Sequence, residues 1–172
     1  MAIYLISNVS NEFSYNNLAK MTKIKSVNTV EKYLNYLEEA FIFFRLKRFA
    51  FKAKEQIISN KKIYCIDNGF INSKAFTIIS DLGKMYENAA AIKLKKLEMD
   101  GIINFYYWKN QQQEEVDFLI KQGTKIKKLI QVCYSVDNPK TKEREIRSLL
   151  KASKELKCKN LLIITYDYEA EK

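Results

Sequence analysis

Apolar side chains recur at Val27, Val30, Leu34, Leu37 and Phe41, spacings of three and four that lay a single stripe along a helix from Ser26 to Phe41. Ser26 is the residue expected to cap it, and the opposite face carries Lys25, Asn28, Thr29, Lys32 and Tyr36. Upstream, Ser14 is placed to cap a shorter helix holding Leu18 and Met21, and Ala2 to Asn8 has room for another. Two short helices before a longer one outline a helix-turn-helix. Two strand-like runs follow, Phe41 to Phe51 and Lys61 to Ile66, the second ending at a turn of Asp67, Asn68 and Gly69. They read as the wings of a winged helix-turn-helix. Arg45, Lys47, Arg48, Lys52 and Lys54 sit on the first wing and the loop after it.

The second half has a different rhythm. Asp81 to Glu98 is helical, with Asp81 as the expected cap. Ile102 to Trp108, Glu115 to Ile120 and Ile126 to Ser135 are strand-like and separated by polar turns, Lys140 to Leu156 is helical, and Asn160 to Tyr166 is a buried strand. A three-strand meander followed by a helical crossover into a parallel strand predicts a mixed α/β (α+β) sheet. The chain thus divides near residues 72 to 80, into an N-terminal domain of residues 1–76 and a C-terminal domain of residues 77–172.

Composition narrows the chemistry. None of the 172 residues is a histidine, which removes imidazole bases and histidine-containing zinc sites. The four glycines, Gly69, Gly83, Gly101 and Gly123, spell neither GxGxxG nor a GxxxxGK[ST] phosphate loop. Cys65, Cys133 and Cys158 form no CxxC pair and suit a reduced, cytoplasmic protein. The apolar runs fall short of a bilayer span, so no membrane partner is expected. A net charge of +10 favours an anionic partner, nucleic acid before membrane. Residues 1 to 80 hold 12 basic and 6 acidic side chains and supply the larger share of that surplus.

The element order of the second half resembles the PD-(D/E)XK nuclease-like superfamily, a restriction-endonuclease-like mixed sheet. By position, the resemblance assigns the helical acid to Glu87, in Gly83-Lys84-Met85-Tyr86-Glu87-Asn88, and the second-strand aspartate to Asp117, in Glu115-Val116-Asp117-Phe118. Where that pattern has a third-strand (D/E)xK pair, this chain has Gln131 and Cys133. Several stretches together carry a broader likeness: Ser26-Val27-Asn28-Thr29-Val30 through Tyr33-Leu34, Lys62-Ile63-Tyr64-Cys65-Ile66-Asp67-Asn68-Gly69, Glu87-Asn88, and Tyr107-Trp108-Lys109 before Glu115. Jointly they resemble the C-terminal region of archaeal and bacterial AAA-type ATPases with a DUF4143 or DUF234 tail. The resemblance implies an ATPase domain as partner, in cis or in trans, and does not extend to ATP hydrolysis.

In that family pattern two carboxylates hold Mg2+ at the scissile phosphate and a lysine steadies the developing charge. The resemblance makes Glu87 and Asp117 the metal ligands and places Gln131 and Cys133 at the degenerate catalytic positions. Gln131 offers a metal only a neutral oxygen, and Cys133 offers no permanent cation. Lys84, one turn before Glu87, and Lys121, on the face of Asp117, are the lysines placed to stand in. Tyr106, Tyr107 and Trp108 could stack on bases but read first as strand core. The resulting expectation is a duplex- or branched-DNA-binding module with a degraded site and no committed cofactor. It binds through Lys25, Asn28, Thr29, Lys32 and Tyr36 on the third helix and Arg45, Lys47, Arg48, Lys52 and Lys54 on the wing. The alternatives are a Mg2+-dependent endonuclease or junction-cleaving enzyme and an assembly platform, with self-association as one form of it.

Overall fold

Alternation along the strands gives the N-terminal half two apolar faces. The computed structural model describes residues 1–74, 82–166 and 169. Its first half runs α1 (Ala2–Ser7), β1 (Glu12–Phe13), α2 (Tyr15–Thr22), α3 (Val27–Glu39), β2 (Phe43–Lys47), α4 (Ala53–Ile58), β3 (Lys61–Cys65) and α5 (Asn68–Lys74). The three strands form an antiparallel sheet in the order β1-β3-β2, with Arg45 opposite Ile63 and Leu46 opposite Lys62. Side chains two apart on a strand share a face. Phe43, Ile63 and Cys65 therefore join Leu5, Leu18, Val30 and Leu34 in a helical core. Phe44, Leu46, Lys62 and Tyr64 turn the other way.

The second half runs α6 (Leu82–Met99), β4 (Asn104–Lys109), β5 (Glu115–Gln122), β6 (Lys125–Val132), α7 (Pro139–Leu156) and β7 (Leu161–Ile164). Strands β4 to β6 are antiparallel, α7 crosses over, and β7 joins β6 in parallel with Leu129 opposite Leu161. This is the mixed α/β arrangement that the periodicity predicts. Asn138 caps α7 through its side chain, with Pro139 opening the helix. On one side, Leu149, Ala152 and Leu156 of α7 cover Trp108, Val116, Leu119 and Leu129.

On the other side the two halves share a core. Phe44, Leu46 and Tyr64 pack with Ala91, Phe105, Tyr107, Phe118 and Ile130, each large side chain stabilising by about 1.5–3 kcal/mol. Polar contacts close the same seam. The Phe49 N–H donates to the Tyr107 carbonyl at 2.7 Å, the Tyr107 hydroxyl donates to the Asn60 carbonyl at 2.7 Å, and the Arg48 guanidinium donates to the Lys109 carbonyl.

Several boundaries differ from the expectation, each for a local reason. Helix α3 stops at Glu39, because Phe41 takes φ 52° and the N–H groups of Phe41 and Ile42 return to the carbonyls of Glu38 and Leu37. This is a Schellman closure with phenylalanine where glycine is usual. The apolar stripe is correspondingly shorter: Val30 and Leu34 are buried, while Val27 and Phe41 are 36% and 65% exposed. Ser26 precedes the helix without a side-chain cap bond, whereas Ser14 accepts from Asn17 N–H as expected. Strand β2 covers only Phe43–Lys47. The stretch read as a loop after it contains α4, and Asp67 opens α5 by accepting from Gly69 N–H at 2.7 Å. The expected 76/77 boundary and the expected cap Asp81 lie outside the described residues. Among the described residues no helix is long and apolar enough to cross a membrane.

Candidate functional site

The inner face of β3 carries a lysine into the seam. The Lys62 side chain is 3% exposed, and its ammonium lies 2.9 Å from Glu87 Oε1, 3.2 Å from Asp117 Oδ1 and 2.5 Å from Glu115 Oε1. Three carboxylates from α6 and β5 thus converge on one cation supplied by the other half of the chain. Tyr64, two residues on and on the same face, donates its hydroxyl to Glu87 Oε1 at 2.6 Å. Lys109 continues the network, 2.7 Å from Glu12 and 3.5 Å from Glu115.

Each acid is held from a second direction. Asp117 Oδ2 accepts from Val132 N–H at 2.9 Å, and Gln131 Oε1 accepts from Asp117 N–H at 3.3 Å, which ties β5 to β6. Beside Glu87, the fully buried Asn88 accepts from Cys65 N–H at 2.8 Å and donates to the Cys65 carbonyl at 3.0 Å and to Asn68 Oδ1 at 2.6 Å. Asn88 thereby pins α6 to the end of β3 and fixes the height at which Glu87 meets Lys62.

The charges explain the protonation. Burial raises the Glu87 carboxyl, the neighbouring Asp117 charge raises it further, and Lys62 only partly offsets both, leaving it at about 7. Asp117 is also pushed up by burial, against the pull of Lys62. Burial opposes the charge on Lys62, but Glu87 foremost, with Tyr64, Asp117 and Glu115, holds the ammonium well above its ordinary range. Glu12, Glu87, Glu115 and Asp117 outnumber Lys62 and Lys109 in this network, so the surplus negative charge is relieved by a proton on Glu87 while Lys62 stays charged.

A polar cleft of about 550 Å³ opens in front of these acids, between the first turn of α6, the β4–β5 turn and the first half of α7, where Arg144, Glu145 and Arg147 line it. The donor set does not fit a resident divalent ion. Glu87 and Asp117, the two expected ligands, already share Lys62, and among the described residues no group of three acidic or thiol side chains is arranged to hold a metal.

The expected site residues separate into two sets. Glu87, Asp117 and Gln131 come together. Cys133 directly follows β6 and makes no hydrogen bond to them: its thiol donates to the Ser135 carbonyl at 2.9 Å, and burial, with the nearby Glu145 charge, pushes that thiol up. The lysine shared by Glu87 and Asp117 is Lys62, whereas Lys84 lines the cleft and Lys121 lies four residues along β5 from Asp117. In the sequence Lys62 stands only at the head of the stretch Lys62-Ile63-Tyr64-Cys65-Ile66-Asp67-Asn68-Gly69 that carries the family likeness.

On α3 and just before it, Lys25, Asn28, Lys32 and Tyr36 are exposed and Thr29 is half-buried. Lys47, Lys52 and Lys54 are exposed as well, Lys52 lying 3.4 Å from Glu55. Arg45 instead turns inward, donating to Glu38, to Tyr15 at 2.8 Å and to Asn35 at 2.7 Å, and Arg48 is spent on the Lys109 carbonyl. These two arginines brace the fold. Tyr107 and Trp108 are buried, and Tyr106 packs on Phe49.

Comparison with known proteins places these halves in two profiles. A domain of unknown function, DUF8612, matches residues 2–81, and a second, DUF4143, matches residues 82–172. The chain is 37% identical over 173 aligned residues to the uncharacterized protein MJ1544 of Methanocaldococcus jannaschii, covering 96% of this chain and 37% of that protein. It is 24% identical over 111 residues to an uncharacterized protein of Haemophilus influenzae, covering 64% of this chain and 26% of that one. The chain therefore matches little more than a third of one of these longer relatives and about a quarter of the other. No solved structure matches it. With its whole second half, from α6 through β7, falling within the second profile, the chain belongs to the DUF4143 family.

Proposed function

We propose that this chain is a non-cleaving, DNA-docking module of a AAA-type ATPase, in which a winged helix-turn-helix is joined to a nuclease-like sheet whose acidic centre is held closed by Lys62. The observation that carries the choice of binding over cleavage is the Lys62 ammonium among Glu87, Glu115 and Asp117. A cation fixed at that point, at the back of the open cleft, takes the position that these carboxylates would otherwise offer a catalytic ion.

The fold supports the rest of the reading. The order α1-β1-α2-α3-β2-α4-β3 with sheet order β1-β3-β2 suits a winged helix with a helix inserted between its wing strands, and α6 followed by an antiparallel meander, α7 and a parallel β7 suits a nuclease-like core. The outward set Lys25, Asn28, Lys32 and Tyr36 is the face offered to a major groove, with Lys47, Lys52 and Lys54 available for phosphates. The greater length of the relatives leaves room for an ATPase domain in such proteins. The cytoplasm is the compartment this reading requires.

The test is a fluorescence-anisotropy titration with blunt duplex DNA at low and moderate salt, alongside incubation of plasmid with Mg2+ or Mn2+. Binding that weakens steeply with salt, plasmid left intact, and a salt slope reduced by about 1 in Lys32→Ala are the expected results. Absence of duplex binding at low salt would overturn docking, and cleavage abolished by Asp117→Ala would overturn closure.

A second reading, assembly with an ATPase domain or with another copy of the chain, is favoured by α4. That helix buries none of its residues, and Phe51, Ile57 and Ile58 around it are 74%, 72% and 71% exposed. Light scattering on the purified chain, alone and mixed with the ATPase domain, would reject it if the chain stayed monomeric in both.

A further inference from the structure

The chain leaves β6 and β7, the parallel pair, through two tyrosines. Tyr134 follows the end of β6 and Tyr166 follows the end of β7, and the Tyr166 N–H donates to the Tyr134 carbonyl at 3.1 Å. Their rings stack 5.3 Å apart at 19°. Tyr86, on the first turns of α6, meets both edge-on, at 5.2 Å from Tyr134 and 6.1 Å from Tyr166. Three elements thus converge to hold one aromatic plane. The outermost ring, Tyr166, is 63% exposed, an unusual setting for a tyrosine already locked by stacking and a backbone bond.

The neighbouring helix is basic, while Asp137 lies before it and Asp167 and Glu169 follow Tyr166 in the sequence. Helix α7 starts five residues after Tyr134 and carries six lysines or arginines against three acids. Its second turn stands beside the end of β6: Arg144 lines one cleft with Gln131 and Val132 and acts electrostatically on the Cys133 thiol, next to Tyr134. Arg144 pairs with Glu145 at 2.5 Å, yet its side chain is 64% exposed, and Lys140 at the helix start is exposed too. In open α/β sheets, ligands bind off the carboxyl ends of the parallel strands, which is where these tyrosines stand.

We propose that Tyr166, backed by Tyr134 and Tyr86, is a stacking platform for an unpaired base of single-stranded DNA, with Arg144 and Lys140 offered to its phosphates. The exposed π-face, rigid from behind, accepts any base, and the positive helix selects a polyanion rather than an isolated aromatic ligand. Duplex DNA keeps its base faces stacked and cannot use the platform, so the site recognises tails, gaps or the open arms of branched DNA. The inference shares a nucleic-acid ligand with the docking reading but lies on a different half of the chain.

The test uses the full chain with three probes: a blunt duplex, the same duplex with a single-stranded tail, and a single-stranded oligonucleotide containing 2-aminopurine. The tailed duplex binds more tightly than the blunt one, and the 2-aminopurine emission is quenched on binding. Tyr166→Leu, which keeps apolar bulk but removes the π-face, weakens the tail-dependent gain about 5- to 150-fold, whereas Tyr166→Phe retains it. Melting temperatures of both variants verify that they fold. Equal binding of tailed and blunt duplex by the wild type, or a Tyr166→Leu variant that keeps the tail preference and the quenching, overturns the platform. Loss of blunt-duplex binding with tail preference intact overturns the docking reading alone.

Discussion

Two groups of basic residues in the N-terminal half live under opposite physics. At the seam, Lys62 is sealed from water by three carboxylates, while Lys25 and Lys32 on the outer surface near and along α3 stand open to solvent. A buried ammonium is tolerated only with its partners in place, so Lys62 is committed to joining the two halves. An exposed ammonium keeps its hydration and exchanges it for a phosphate at little cost. The difference teaches that net charge of +10 is a poor guide to a binding surface: Arg45, Arg48 and Lys62 are all spent inside the molecule.

The largest test of this contrast is Lys62→Ala. Removing the shared cation leaves three acids facing one another, and urea unfolding at pH 7.5 should show a loss of about 3–5 kcal/mol, while Lys32→Ala should stay within about 0.5 kcal/mol of the wild type. Similar stabilities for the two variants would break the comparison. Asn88→Ala comes next, because it strands both backbone groups of Cys65 at the same seam, and a loss of about 2–4 kcal/mol is expected from two unsatisfied buried groups.

A smaller effect appears in the pH dependence. Glu87 holds its proton up to about 7 in the folded chain but releases it near its ordinary 4.5 when unfolded. Between those values the native state binds the extra proton, so stability falls as pH rises from 4.5 to 7. Glu87→Gln keeps the oxygen that faces Lys62 and Tyr64 and removes the titration, so thermal melts across that window should become flatter. An unchanged slope would mean that the surplus charge rests elsewhere in the network. Smallest is Phe41→Gly on the outer region, which relieves the left-handed backbone at the end of α3 and should raise stability by about 1 kcal/mol in chemical denaturation.

Much of the architecture was legible because it rests on periodicity. The meander, the crossover helix and the parallel β7 follow from runs such as Leu161 to Ile164, and α2 from its Ser14 cap. Short elements were hidden where tertiary contacts decide: β1 is two residues that become a strand by pairing with β3, and α4 is one short helix that buries none of its residues. At the site, Glu87, Asp117 and Gln131 follow from the family resemblance, whose motif positions each sit on a single element. Lys62 does not, because its role depends on which face of β3 meets α6, a long-range fact. Cys133 keeps a sheet-like bond to the Ile164 carbonyl at 2.9 Å while its thiol turns to the Ser135 carbonyl, a local contact that strand alternation does not foresee.

The central claim is that Lys62 occupies the cation position among Glu87, Glu115 and Asp117. Its most direct test is isothermal titration of Mn2+ into the wild type, Asp117→Asn and Lys62→Met, each verified as folded by circular dichroism, with a thermal-melt arm at pH 7.5. The account predicts that the wild type takes up no Mn2+ at this site, and that Mn2+ raises the melting temperature of Lys62→Met by restoring the missing charge. Mn2+ binding by the wild type that disappears in Asp117→Asn would contradict it.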